Sequence, residues 1–138
     1  MGLLTEEDYS DLVRMEMKYK EDEDKHLLVF PDFKLSAGLY QVDQCNVLVV
    51  IPENYPAAGN DMLWTFPSLQ CKDGRLIPGT IATNKPNNER DIRVFEEKTY
   101  ERWSRHWNAG NQLWRAGRDN ITTVVNRLTY VLANPHEV

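Results

Sequence analysis

The chain has few cysteines, no long apolar run and no excess of positive charge. Its 138 residues include two cysteines, Cys45 and Cys71, which lack the spacing of a zinc site or a CxxC redox pair. No stretch approaches the ~20 apolar residues of a membrane span, and the first residues lack the basic and apolar regions of a signal peptide. The sequence therefore predicts a cytoplasmic protein with no disulfide, no metal, no cofactor and no membrane contact.

Negative charge is concentrated near the N-terminus. The formal net charge is −5, and residues 1–25 alone carry nine acidic against four basic side chains, so the remainder is neutral. Because the rest of the chain has no net positive charge to attract phosphates, nucleic-acid binding is not expected. With 41% hydrophobic residues and no Pro-, Ser- or Gly-rich tract, residues 1–138 fit one domain with one core.

The middle of the chain shows a strand, a turn and a second strand. Residues 46–52 are a mostly β-branched run that ends at a proline, which predicts a buried strand, and Tyr55-Pro56 closes the turn after it. Pro31 indicates an edge or a bulge in an earlier strand. The predicted strands, joined as a four-stranded antiparallel meander, are residues 26–33, 39–42, 46–52 and 62–67.

A helix is predicted at each end of the chain. Thr5 is an N-cap residue before three acids that complement the helix dipole, which predicts a helix over residues 6–19, and the acidic run 21–24 then forms a solvated break. Asn120 begins a second helix in the 119–133 segment. Its apolar face holds Ile121, Val124, Val125, Leu128, Val131 and Leu132. Burying these six side chains gives about 10 kcal/mol, enough to dock the helix on the sheet. The predicted fold class is α+β.

Two segments between the last predicted strand and the second helix attract functional interest. Residues 69–94 lack periodicity, and a long irregular segment in a small domain is typical of a functional loop. Residues 100–107 then combine three aromatic side chains with two arginines, a histidine and a serine. Trp103 and Trp107 are spaced to share a helix face with Tyr100, but this spacing does not explain the polar residues. The alternative is that the tryptophans are core residues and the arginines pair with nearby glutamates.

The order of these features resembles the ubiquitin-conjugating enzyme fold over roughly residues 5–135. The resemblance rests on Ile-Pro-x-x-Tyr-Pro before an aromatic strand, Trp114-Arg-Ala-Gly before a capped helix, and a terminal Asn-Pro. The Arg-Trp-Ser-Arg-His-Trp run looks most like a bacterial branch found beside activating-enzyme, isopeptidase and ubiquitin-like genes. This resemblance implies a conjugation component whose partners are a ubiquitin-like protein and an activating enzyme. The implied partner-binding residues are Tyr55, Trp103, Trp107 and Trp114.

The chain lacks a cysteine where that family has its nucleophile. The family's cysteine stands eight residues before the motif tryptophan, and counting back eight from Trp114 reaches His106, with no cysteine after residue 71. The resemblance then implies acyl transfer by other chemistry, in which Ser104 forms an oxyester with His106 as base, or His106 itself carries or activates the acyl group. Arg102, Arg105 and Asn87 would stabilise the oxyanion, Asn87 matching the asparagine of the family's His-Pro-Asn element.

Three alternatives remain open from the sequence. The protein is a catalytically inert adaptor for a ubiquitin-like protein or its activating enzyme, or its aromatic cluster stacks on single-stranded nucleic acid, or Cys71 is a displaced nucleophile. Under the transferase reading, Trp103 and Trp107 should be buried. Ser104, Arg105 and His106 should face solvent near the loop that carries Asn87.

Overall fold

The described part of the chain folds into one antiparallel sheet and two helices. The computed structural model describes residues 2–80, 92–107 and 113–137. Within them the elements are α1 (Glu6–Arg14), β1 (Lys20–Asp22), β2 (Leu27–Lys34), β3 (Gln44–Val50), β4 (Leu63–Phe66), β5 (Ile92–Phe95), β6 (Lys98–Trp103) and α2 (Ile121–Ala133). The strands pair in the order β1-β2-β3-β4-β6-β5, and every pairing is antiparallel. The predicted α+β class, with a helix near each end, is confirmed.

The predicted central strands are present as β2, β3 and β4. The register between β2 and β3 shifts between Phe30 and Phe33, on the two sides of Pro31, which confirms the predicted bulge. Asp32, at the bulge, has a left-handed backbone with φ 56°. The extra residue is accommodated there because a bulge interrupts the ladder locally and leaves the flanking pairs intact.

The predicted number of strands, the predicted break at 21–24 and the predicted strand at 39–42 were wrong. The described residues form six strands in place of four, because β1, β5 and β6 were not predicted and the predicted strand at 39–42 is absent; β1 replaces part of the predicted break at 21–24. Residues 39–42 do not form a strand; Tyr40 makes an isolated bridge with Cys71. β1 is a short edge strand whose backbone pairs with β2, and this long-range pairing leaves no mark in the local charge pattern.

Helix α1 is shorter than predicted and ends at Arg14. Glu16 has a left-handed backbone with φ 57°. Its N–H donates to the carbonyl of Val13, and the N–H of Met17 donates to the carbonyl of Leu12. These two bonds form a Schellman motif, which closes the helix because a left-handed residue cannot continue it. Neither α1 nor α2, the helices of the described residues, has the length and apolar content to cross a bilayer.

The two faces of the sheet bury separate apolar clusters. On one face the main core includes α2, whose six predicted apolar positions are all buried. On the other face lies a second cluster of Leu27, Val29, Leu48, Trp64, Phe95 and Tyr100. Lys20 belongs to the edge strand β1 and Glu96 follows the opposite edge strand β5, yet Lys20 Nζ lies 2.9 Å from Glu96 Oε1. The sheet therefore curls around the second cluster.

Asp8 joins three parts of the fold. Only 1% of the residue is exposed, although it lies in the first turn of α1. Its Oδ2 accepts a hydrogen bond from the Tyr55 hydroxyl at 2.7 Å, and its Oδ1 accepts one from the Ile121 N–H at 3.1 Å. The carboxylate thus satisfies one of the orphan N–H groups at the start of α2, where a negative charge also favours the helix dipole.

The turn between β5 and β6 is strained, and relieving the strain should stabilise the protein. Phe95 pairs with Lys98 across a two-residue turn in which Glu96 and Glu97 have φ of 49° and 66°. A two-residue hairpin loop with positive φ at both residues is a type I′ turn, which favours glycine at its second position. We expect Glu97→Gly to raise the free energy of unfolding in urea by about 1 kcal/mol.

A matched exposed glutamate in a helix provides the control. Glu7 lies in α1, so Glu7→Gly should lower the free energy of unfolding by about 1 kcal/mol. A loss of stability in the Glu97→Gly variant would contradict the left-handed geometry of the turn.

Candidate active site

The segment that follows β6 carries the candidate site. β6 is extended and not helical, so Tyr100 and Trp103 lie on opposite faces of the sheet. Trp103 and Trp107 both enter the main core, with 2% and 5% of their surface exposed. The rings anchor the segment, as expected. Their burial leaves them little surface for contacting a partner or for stacking on nucleic-acid bases.

His106 is exposed and is held by a carboxylate from a distant part of the chain. Its Nδ1 lies 2.9 Å from Oδ2 of Asp61, a residue in the connection before β4. The other oxygen of Asp61 accepts a hydrogen bond from the Trp107 backbone N–H, also at 2.9 Å. The side chain of His106 is 65% exposed and that of Asp61 is 26% exposed. The imidazole is therefore held at Nδ1, and most of the side chain is exposed to solvent.

Arg127 of α2 connects this pair to Trp114. Its guanidinium lies 5.2 Å from the ring centre of Trp107 and 5.4 Å from that of Trp114, within the range of a cation–π contact. Burial lowers the pKa of Arg127, while the charges of Asp119 and Asp61 act in the opposite direction. The arginine stays protonated at neutral pH, as arginines do in proteins, and so places a fixed positive charge behind the candidate site.

Trp114 is held by the turn after β3. Its indole Nε1 donates to the carbonyl of Pro56 at 2.9 Å, and its ring centre lies 5.8 Å from that of Tyr55. Gly59 lies against the ring, so that a Cβ there would come within 2.0 Å of an indole carbon. The hydroxyl of Tyr55 is engaged by Asp8. Tyr55 therefore packs against the motif tryptophan within the fold, and its contact with a partner remains a prediction.

A shallow groove of about 330 Å³ adjoins Trp107 on the outer side of α2. Its lining residues are Trp107, Leu113, Arg118, Asp119, Thr123, Asn126, Arg127 and Tyr130. Leu113 and Tyr130 are large apolar side chains that remain exposed. Asp61 and His106 do not line this groove, which meets the candidate site at Trp107 and Arg127. Two hollows of larger volume, about 520 and 730 Å³, contain none of these four residues.

Comparison with known families identifies the family of this chain. The sequence matches the family model for the prokaryotic E2 family E over residues 4–135, nearly the whole chain. The chain belongs to the prokaryotic E2 family E. The predicted resemblance to ubiquitin-conjugating proteins is thereby confirmed at the level of the family. No curated protein and no solved structure matches the chain.

Arg105 of this prokaryotic E2 family E protein is buried, which corrects the expectation that it faces solvent. Only 6% of the residue is exposed. Its guanidinium donates to the carbonyls of Pro78, Ser104 and Pro135 at 2.8 to 2.9 Å and lies over the ring of Trp103. Burial lowers its pKa. Because the guanidinium donates its hydrogen bonds to three backbone carbonyls, Arg105 has a structural role and is not available to stabilise an oxyanion at His106.

The other predicted polar residues are spread over different surroundings. Arg102 pairs with Trp64 across β4 and β6, and its side chain points to the face opposite Trp103 because neighbours in a strand alternate. Ser104 is half-buried, and its N–H donates to the Gly79 carbonyl at 2.8 Å. Asn87 lies outside the described residues. The structure thus brings His106, Trp107 and Trp114 together through Asp61 and Arg127, which are residues that the sequence interpretation missed.

Neither cysteine is placed to replace the missing nucleophile. Cys45 and Cys71 are both free and buried. Burial raises the pKa of Cys45 to about 12, and burial also raises the pKa of Cys71, so both thiols stay protonated at neutral pH. Cys71 Sγ lies 4.0 Å from Nε2 of His136, away from the contacts of Asp61. Among the described residues, no group of three or more His, Cys, Asp or Glu side chains is arranged to hold a metal ion.

Proposed function

We propose that this protein receives or positions the C-terminus of a ubiquitin-like protein, delivered by an activating enzyme, with His106 acting in place of the usual cysteine. Membership of the prokaryotic E2 family E suggests a component of a ubiquitin-like conjugation pathway. The observation that carries the proposal is the imidazole held by Asp61, eight positions before Trp114, where ubiquitin-conjugating enzymes have their cysteine.

The chemistry of the pair supports a reactive role for His106. Imidazole is the side chain that most often moves protons in enzymes, and a carboxylate on one ring nitrogen fixes which nitrogen is available. Most of the His106 side chain is exposed to solvent, while both thiols are buried and protonated. Ser104 remains the alternative acyl acceptor under this proposal, since a serine needs an adjacent base and a histidine lies two residues away.

The groove beside Trp107 supports the same assignment. Its exposed Leu113 and Tyr130 suit the apolar side chains of an extended tail, and its arginines favour a peptide that carries carboxylates. A tail lying there would contact Trp107, which directly follows His106 in the chain. We further propose the surface of α1, with exposed Glu6 and Glu7, as the contact for the activating enzyme, by analogy with the first helix of ubiquitin-conjugating enzymes.

Replacing His106 with alanine tests the function. The variant is incubated with ATP, an activating enzyme and a ubiquitin-like protein from the same genome, and conjugates are counted by intact mass. We expect transfer to fall by at least roughly 100-fold, in line with the loss of a general base. The melting temperature should change by only a few degrees, because surface substitutions are usually worth within about 0.5 kcal/mol.

His136→Ala and Cys71→Ser are the matched controls, because His136 and Cys71 are a histidine and a cysteine that lie beside each other outside the candidate site. Both should leave transfer unchanged. Loss of transfer in Cys71→Ser, with transfer retained in His106→Ala, would move the nucleophile to Cys71.

The second candidate is a catalytically inert adaptor. The burial and raised pKa of both thiols favour it, because no cysteine is then available to carry a thioester. An adaptor binds the ubiquitin-like protein or the activating enzyme equally well with and without His106. Binding measured by calorimetry, unchanged in His106→Ala while wild-type protein supports no transfer, would favour the adaptor.

A further inference from the structure

Asp61 makes two contacts that are specific to the candidate site. One carboxylate oxygen faces Nδ1 of His106 and the other accepts the N–H of Trp107, each at 2.9 Å. More than 40 residues of sequence separate Asp61 from His106 and Trp107, because Asp61 precedes β4 and the other two residues follow β6. A contact at that separation depends on the packing of two segments and is not a by-product of local geometry.

Hydrogen bonds hold the residues on both sides of Asp61, one to the backbone of the His106 segment and one to a side chain of α2. The N–H of Met62 donates to the carbonyl of Arg105 at 2.8 Å, and the carbonyl of Asn60 accepts from Arg127 at 3.3 Å. Asn60 itself is 1% exposed. The Asp61 carboxylate is therefore held in place from both neighbouring residues, as a group that positions another side chain has to be.

We propose that Asp61 is the positioning residue that keeps the proton of neutral His106 on Nδ1, so that Nε2 acts as the general base for the acceptor amine. This inference rests on the proposed function and names its second substrate. The acyl donor is the thioester of the ubiquitin-like C-terminus on the activating enzyme, and the acceptor is a primary amine. Transfer is then direct, without an acyl group on this chain.

The bonds and protons of this step balance. The amine nitrogen attacks the thioester carbonyl carbon, a C–N bond forms and the C–S bond breaks. Nε2 of His106 takes the proton that the amine loses, and the activating enzyme's thiolate leaves. The imidazolium keeps its Nδ1–H on Asp61 and returns the Nε2 proton to the thiolate, which regenerates both groups.

The exposure of His106 favours a base over a carrier. An acyl group on Nε2 would lie in water, because 65% of the side chain is exposed, and reactive acyl intermediates need to be sheltered from hydrolysis. A general base works with water around it and needs only hydrogen-bond reach to its substrate. The structure therefore matches the proton-transfer role of histidine better than the acyl-carrier role.

The first measurement is the tautomer of His106, determined on the wild-type protein by long-range ¹H–¹⁵N NMR at a pH where the ring is neutral. We expect the proton on Nδ1. Asp61→Asn places an amide beside Nδ1, which can donate to it, and the proton should move to Nε2. A wild-type ring that carries its proton on Nε2 would overturn the inference without any variant.

The second measurement is the rate at which a glycyl-glycine thioester transfers to Nα-acetyl-lysine amide in the presence of the protein. Asp61→Asn should lower this rate at least roughly tenfold, with a melting temperature within a few degrees of wild type. Glu53→Gln, the same change of acid to amide at an exposed position of the preceding turn, should keep the wild-type rate.

The outcomes separate the inference from the proposed function. If Asp61→Asn keeps both rate and tautomer while His106→Ala loses the rate, the inference fails and the proposed function stands. If His106→Ala keeps the rate, the proposed function fails. An acyl adduct on His106, found by intact mass, would overturn the base role and assign the carrier role instead.

Discussion

Replacing Asp8 with alanine is expected to lower the free energy of unfolding by about 4 kcal/mol. The substitution leaves the Tyr55 hydroxyl and the Ile121 N–H without their acceptor, and each buried donor left unsatisfied costs roughly 1–3 kcal/mol. It also removes one half of the capping box that Asp8 forms with Thr5. Urea titration followed by circular dichroism measures the loss.

Two further variants show whether this loss comes from the contacts of Asp8. Glu7→Ala changes the neighbouring exposed acid and should stay within about 0.5 kcal/mol of wild type. Tyr55→Phe removes one of the two donors and should cost about 1–2 kcal/mol. An Asp8→Ala variant as stable as Glu7→Ala would show that the carboxylate does not join α1, the Tyr55 turn and α2.

Replacing Arg105 with alanine should destabilise the protein by a similar amount, about 4 kcal/mol. Its guanidinium satisfies three buried or half-buried carbonyls and covers the Trp103 ring, and hydrogen bonds to a charged group contribute roughly 1.5–3 kcal/mol each. Two of these bonds share one nitrogen, so the sum lies below three full contributions. The melting temperature and the urea midpoint should both fall.

Arg115→Ala is the control, because this arginine is exposed. It should leave stability within about 0.5 kcal/mol of wild type. Arg105→Lys should recover little of the loss, since an ammonium cannot reproduce the planar fork that reaches three carbonyls. If Arg105→Ala instead kept the wild-type melting temperature and lost only transfer, the arginine would act on the reaction, as its position beside His106 in the sequence first indicated.

The burial of both thiols limits the chemistry open to this family member. Thioester formation needs a thiolate, and the pKa of Cys45 is raised to about 12 while that of Cys71 is raised by burial and by Asp73. The direct transfer that we propose avoids that requirement, because the thioester is then carried by the activating enzyme. That proposal needs one base in a fixed orientation, which is the role proposed for His106 beside Asp61.

Local patterns predicted the parts of the fold that depend on neighbours in sequence. The apolar spacing of α2 and its Asn120 cap predicted the helix within about two residues, because both signals operate within one or two turns. The β-branched run of β3 and the proline of the β2 bulge were predicted for the same reason. The resemblance to ubiquitin-conjugating enzymes, whose cysteine stands eight residues before the motif tryptophan, selected His106 as the residue of interest.

Contacts between distant segments were decided only by the tertiary structure. β1 is a strand because β2 pairs with it, and β6 is extended because β4 and β5 lie on its two sides, whereas the aromatic spacing alone also allowed a helix. The burial of Arg105 and the pairing of Asp61 with His106 depend on segments that lie 27 to 45 residues apart. A sequence motif describes the spacing within one segment, whereas the Asp61 carboxylate that contacts the histidine belongs to another segment. The pattern around His106 therefore identified the imidazole but not the group that fixes its orientation.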